Sequence, residues 1–171
     1  MCYRMNRIKK KFPLIMTSHQ FVSELMIHAD WFSGIPDSVF KKILPKLDPF
    51  YPASRENHAI AMGFGASLSK KKPAILIQNS GLGLSLDALF GLNQLYEVGV
   101  LLIISNRGEL EWEEIQHKSW GKRTMDLLNL CNITTFDLNE LGSCAVEKAA
   151  KSAFNDQKIS AIIVHRGNID E

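Results

Sequence analysis

Three groups of side chains in this chain have the types and spacing to do chemistry. Glu56 follows a short extended stretch and opens a run of alanine, methionine and glycine, so its carboxyl should sit beside open helix amides in largely apolar surroundings. A carboxyl so placed suits acid–base work, and it equally suits a first-turn acid that complements a helix dipole. Gln78-Asn79-Ser80-Gly81-Leu82-Gly83 joins an apolar run to a helical stretch and can present backbone N–H groups to an anion or a ring. It matches neither GxxxxGK[ST] nor GxGxxG, and a tight turn explains it as well. Arg107, Glu109, His117, Lys122 and Arg123 lie in or just after a polar segment from Asn106 to Ser119. A guanidinium and an imidazole suit sulfonate, phosphonate or carboxylate oxygens, which makes Arg107 and His117 candidates for an anionic substrate; an exposed basic cluster is also ordinary solvated surface.

The other histidines, His19, His28, His58 and His165, share no ligand spacing and read as structural or surface residues. Cys2, Cys131 and Cys144 form an odd set without CxxC spacing, so neither a disulfide framework nor a metal site is indicated, and a reducing cytoplasm is expected.

The elements that must position these groups alternate in type. Helical periodicity runs over Gln20–Ala29, Asp37–Leu47, Glu56–Ser69, the stretch after Gly83 to Tyr96, Trp120–Leu130 and Leu141–Asn155. Extended or continuously apolar runs cover Trp31–Gly34, Phe50–Ala53, Pro73–Gln78, Gly99–Ser105, Ile133–Phe136 and Ser160–His165. Six strands alternating with helices predict an α/β fold, a three-layer αβα arrangement around a mostly parallel six-stranded sheet. In such a sheet ligands bind beyond the carboxyl ends of the strands, which selects the segments at 34–38, 54–58, 78–83 and 105–117.

A chain of 171 residues with 46% hydrophobic content supports a single globular domain. No apolar run reaches the roughly 18 residues needed to cross a bilayer, so no membrane span is expected. Arg4, Arg7, Lys9, Lys10 and Lys11 precede any acidic residue, and without these five the formal net charge of +2 becomes −3. The basicity belongs to a flexible extension over residues 1–16, ahead of a domain over 17–171, rather than to a nucleic-acid-binding face. Met16 is a second candidate start.

In order along the chain, Gly34-Ile35-Pro36-Asp37-Ser38, Arg55-Glu56-Asn57, Gln78 to Gly83, Asn106-Arg107-Gly108-Glu109, and Gln116-His117 through Gly121-Lys122 resemble sulfopyruvate decarboxylase alpha subunits and the amino-terminal part of phosphonopyruvate decarboxylases. The likeness covers roughly residues 18–160. It implies a thiamine-diphosphate-enzyme fold of the type that grips the aminopyrimidine, with Glu56 as the catalytic residue that hydrogen-bonds the ring nitrogen and favours the imino tautomer. It further implies that Asn79, Ser80, Gly81 and Leu82 line the cofactor, and that Asp37, Ser38, Arg107 and His117 face the substrate, Asp37 and Ser38 being equally suited to helix capping.

The diphosphate-binding domain of such enzymes carries a GDG motif, which is absent here. The resemblance therefore implies a beta-type partner chain holding diphosphate and Mg2+, in a hetero-oligomer or around a homodimer. The implied reaction converts sulfopyruvate to sulfoacetaldehyde and carbon dioxide, a step of coenzyme M biosynthesis. The alternatives are a phosphonopyruvate decarboxylase subunit and a noncatalytic partner-binding module of the same fold. One departure stands out: the acidic stretch Glu109-Leu110-Glu111-Trp112-Glu113-Glu114 would repel an anionic substrate unless its carboxylates face solvent or bridge to the arginines.

Overall fold

A computed structural model describes residues 13–170. The two longest apolar runs become the centre of the sheet. Pro73–Gln78 (β3) and Val100–Asn106 (β4) pair in parallel, and all seven residues of β4 are buried. Alternate side chains of these strands feed two separate cores, as the two-residue period of a strand requires. Leu76, Leu101 and Ile103 join Phe21, Leu25, Phe40, Val146 and Ala149 on one face. Ile75, Ile77, Leu102 and Ile104 join Ile60, Leu82, Leu89 and Leu128 on the other. Burial of each large aliphatic side chain contributes about 1.5–3 kcal/mol, which is why the central strands carry little else.

Trp31–Gly34 (β1), Phe50–Pro52 (β2), Thr134–Asp137 (β5) and Ile159–His165 (β6) complete the sheet in the order β2-β1-β3-β4-β6-β5. Every pairing is parallel. Ser18–His28 (α1), which opens with a Thr17–Gln20 capping box, packs with Cys144–Phe154 (α7) on the first face. Glu56–Leu68 (α2), Leu82–Ala88 (α3) with its π-helical continuation Leu89–Gln94, and Thr124–Leu130 (α5) cover the second. Ile115–Gly121 (α4) and Leu138–Leu141 (α6) are short. The chain leaves β1 toward one edge of the sheet and β3 toward the other. The gap between their carboxyl ends is therefore the switch point where such sheets form crevices.

Several expectations change, among them the helix over Trp120–Leu130, which is split between α4 and α5. The expected helix over 37–47 is two 3-10 turns, Ser38–Phe40 and Leu44–Lys46, and Pro45 has no N–H to donate to Lys41 O as a continuous α-helix would require. The polar segment after β4 contains α4, so it is not a free loop. The helix expected over 141–155 is divided into α6 and α7 at Gly142 and Ser143. The basic part of the expected extension lies outside the described residues. Its last part is held: the Ile15 and Met16 amides donate to Asn168 O, and the buried Met16 forms a parallel bridge with Ile169. The folded body thus begins before residue 17. Among the described residues, no helix is long and apolar enough to cross a membrane.

Candidate active site

Glu56 is the first residue of α2, at the carboxyl edge of the sheet, and is partly buried. The preceding Arg55 gives the helix no side-chain cap. The Glu56 carboxyl lies against the backbone of Gly81, and a Cβ at position 81 would overlap it. Only glycine there leaves room for the acid. Among the described residues, no hydrogen bond or ion pair engages the Glu56 carboxylate, which is unusual for a partly buried charge and leaves it open to a ligand.

The turn after β3 is a 3-10 turn, Asn79–Gly81, that runs into α3. Its residues face in opposite directions. Asn79 is fully buried, and its Nδ2 lies 2.9 Å from each of Asn106 Oδ1, Arg107 O and Thr124 Oγ1. It clamps the ends of β3 and β4 to α5, and its buried Oδ1 has no hydrogen-bond partner among the described residues. Leu82 is likewise fully buried, inside the second core. Of the four residues expected along the cofactor, Ser80 is the polar one that stays partly exposed, and Gly81 acts through its missing side chain. Gln78 donates from Nε2 to Ser80 Oγ at 2.7 Å, and the same nitrogen lies 3.0 Å from Nδ1 of His117 on α4.

Asp37, Ser38 and Arg107 do meet, in one hydrogen-bonded hub. Arg107 is 4% exposed. Its Nε donates to Glu113 at 2.8 Å, Nη1 to Asp37 at 3.2 Å and to Ser38 Oγ at 3.1 Å, and Nη2 to Glu114 at 3.1 Å. Burial would lower the proton affinity of this guanidinium. The hydrogen bond to Glu113 and the charges of Asp37, Glu113 and Glu114 outweigh that effect and hold its pKa above the ordinary value. Glu113 shows the converse: burial would raise its pKa, but Arg107 and the amides of Leu110 and Gly108 keep it below the usual carboxylate range. One Glu113 oxygen accepts the amides of Gly108, Glu109 and Leu110 at 2.9–3.2 Å. Asp37 also caps the 3-10 turn through Val39 N at 2.8 Å. Three side chains expected on the substrate are thus engaged in fastening the loop after β1 to the segment after β4. The fourth, His117, is joined to this hub by Glu114, whose Oε2 lies 3.8 Å from its Nε2.

The acidic stretch is explained by the same contacts, since Glu113 and Glu114 bridge to Arg107 and Glu109 pairs with Nδ1 of His165. His165, at the end of β6, is buried, with Nε2 2.9 Å from Asp137. Burial would favour neutral imidazole, yet the hydrogen bonds that the ring donates to Asp137 and Glu109 push its pKa up to about 9; burial would likewise raise the pKa of Asp137, but the bond from His165 holds it below the ordinary value. Reading by residue type did not single out Gln78 or this His165 bridge, and their position at the ends of β3 and β6 was the available signal; Glu113 reads only as one of the carboxylates that could bridge to the arginines.

No protein-family model matches the chain. Curated relatives do. The sulfopyruvate decarboxylase subunit alpha of Methanocaldococcus jannaschii is 35% identical over 112 residues, spanning 63% of this chain and 66% of that one. That of Methanococcus maripaludis is 34% identical over 112 residues, spanning 63% and 67%. That of Methanothermobacter thermautotrophicus is 40% identical over 83 residues, spanning 48% and 50%. The matches therefore cover about half to two thirds of the relatives' length. Among solved structures, a chain of the 2-oxoglutarate:ferredoxin oxidoreductase from Magnetococcus marinus superposes with a TM-score of 0.63 at 18% identity, over 88% of this chain and 29% of that one. This likeness shows the fold.

Proposed function

Because the chain belongs to the sulfopyruvate decarboxylase alpha-subunit family, we propose that it is the pyrimidine-binding half of a two-chain, thiamine-diphosphate-dependent decarboxylase that converts sulfopyruvate to sulfoacetaldehyde and carbon dioxide. The observation that carries this reading is the Glu56 carboxyl, held against Gly81 at the sheet's switch edge with no partner among the described residues. The residues suit the aminopyrimidine end of the cofactor. A carboxyl is ready to share a proton with a ring nitrogen, the glycine step lets a flat ring approach the backbone, and Ser80 directly precedes that glycine.

In this reading Glu56 holds the ring nitrogen through its carboxyl oxygen and keeps the proton there. The bound cofactor supplies the electron sink that lets carbon dioxide leave a 2-oxo acid. Asp37, Ser38 and Arg107 position the walls of the site, and His117 with Ser80 offers the polar contacts nearest the substrate. A sulfonate fits this supply of cations better than a phosphonate, which carries nearly two charges at neutral pH and would demand more of them; the guanidinium that could have served is taken up by Asp37, Glu113 and Glu114. The diphosphate and Mg2+ are assigned to a second, beta-type polypeptide, in keeping with the subunit names of the relatives.

The test is carbon dioxide release from sulfopyruvate and from phosphonopyruvate, with and without a GDG-containing second polypeptide, thiamine diphosphate and Mg2+. Turnover of sulfopyruvate in the complete mixture alone is expected. Full turnover without the second polypeptide, or none with a verified, cofactor-loaded one, contradicts the proposal.

A further inference from the structure

Gln78 is the junction of two hydrogen bonds that leave one atom. Its Nε2 lies 2.7 Å from Ser80 Oγ and 3.0 Å from His117 Nδ1. An amide NH2 has two hydrogens and no lone pair to offer, so both bonds run outward from Gln78. His117 Nδ1 is then an acceptor and carries no proton, and the neutral ring keeps its proton on Nε2. A second contact points the same way: Glu114 Oε2 lies 3.8 Å from Nε2, and a carboxylate favours the hydrogen on the nitrogen it faces. Ser80 Oγ accepts from Gln78, so its own hydrogen is left to donate elsewhere, and among the described residues nothing accepts it. Ser80 adjoins Gly81, the glycine against which Glu56 lies.

We propose that Gln78 is a positioning residue that fixes His117 in its Nε2–H tautomer and holds the Ser80 hydroxyl as a hydrogen-bond donor toward the ligand beside Glu56. The arrangement is also a relay. If His117 takes up a second proton, Nδ1–H meets the amide hydrogens of Gln78 head-on, and the amide must turn over to present Oε1. The Ser80 hydroxyl then donates to Oε1 and shows its ligand a lone pair instead of a hydrogen. The charged groups around the imidazole are Glu114 and, sharing that carboxylate's field, Arg107 and Arg166; β3 and the turn after it present the uncharged Gln78 and Ser80. The inference rests on the decarboxylase reading only for what the hydroxyl meets, an oxygen of an anionic 2-oxo acid.

The experiment is nitrogen-15 NMR of the full chain with labelled histidine, the His117 signals being assigned by their loss in His117→Asn. Wild-type His117 should show an unprotonated Nδ1 and a protonated Nε2 in its neutral form. Gln78→Glu puts an acceptor where the donor was, and should move the proton to Nδ1. Ser80→Ala should leave the tautomer unchanged. An Nδ1–H tautomer in the wild type, or a tautomer unmoved by Gln78→Glu, overturns the proposal. Absence of decarboxylation by the wild-type complex would count against the functional reading and leave this result standing.

Discussion

Two regions at the carboxyl edge of one sheet treat their charges in opposite ways. Around Arg107 every charge is engaged: one guanidinium is shared by Asp37, Glu113 and Glu114, and the side-chain exposures of Arg107, Asp37 and Glu113 are 5%, 6% and 0%. Around Glu56 the carboxyl has no partner among the described residues and lies against Gly81. The first region ties the loop after β1 to the segment after β4, and the second lies at the carboxyl edge of the same sheet. Both contain the residue types that catalyse reactions, so type alone does not separate scaffold from site. What separates them is whether hydrogen-bonding capacity has been used up inside the chain.

The contrast can be broken most forcefully at Arg107. Arg107→Met would leave buried Asp37 without its cation and Glu113 with only the more distant Arg166, 3.8 Å away, and should cost about 3–5 kcal/mol of stability in urea unfolding. If Arg107 instead faced substrate, stability would hold and only KM would rise.

A somewhat smaller effect is expected at His165. Its folded pKa of about 9 lies above the unfolded value, so the Glu109–His165–Asp137 bridge stabilises fully below the unfolded pKa and is lost as pH rises through the folded one. The contribution is up to about 3 kcal/mol. Unfolding at about pH 6 and about pH 10, compared between wild type and His165→Gln, should show that difference in the wild type and not in the variant.

Gly81→Ala sharpens the comparison from the open side. The new methyl displaces the end of a flexible glutamate, so stability should change by less than about 1 kcal/mol while turnover falls roughly 10- to 100-fold. A stability loss without a turnover loss would move Gly81 into the scaffold.

The fold was largely legible. Trp31–Gly34 and Pro73–Gln78 match their expected bounds because β-branched or apolar runs bounded by turn residues have few other uses. Glu56 and the turn after β3, on which the proposed site rests, could be picked out as candidates by residue type and by their place after strands. What was hidden depends on distant partners. Arg107 is paired with Asp37, 70 residues away, and no local pattern announces such a pair. Asn79 reads as a loop amide, and only the approach of Asn106 and Thr124 turns it inward. The segment after β4 reads as a polar loop because its carboxylates are satisfied by Arg107, His165 and backbone amides rather than by water.

The most direct test of the central claim is Glu56→Gln, measured for sulfopyruvate turnover with the cofactor-loaded second polypeptide and, in parallel, for unfolding of the chain. A loss in kcat of roughly 100- to 10,000-fold is expected, with stability changed by no more than about 0.5 kcal/mol. Turnover equal to wild type would contradict the claim.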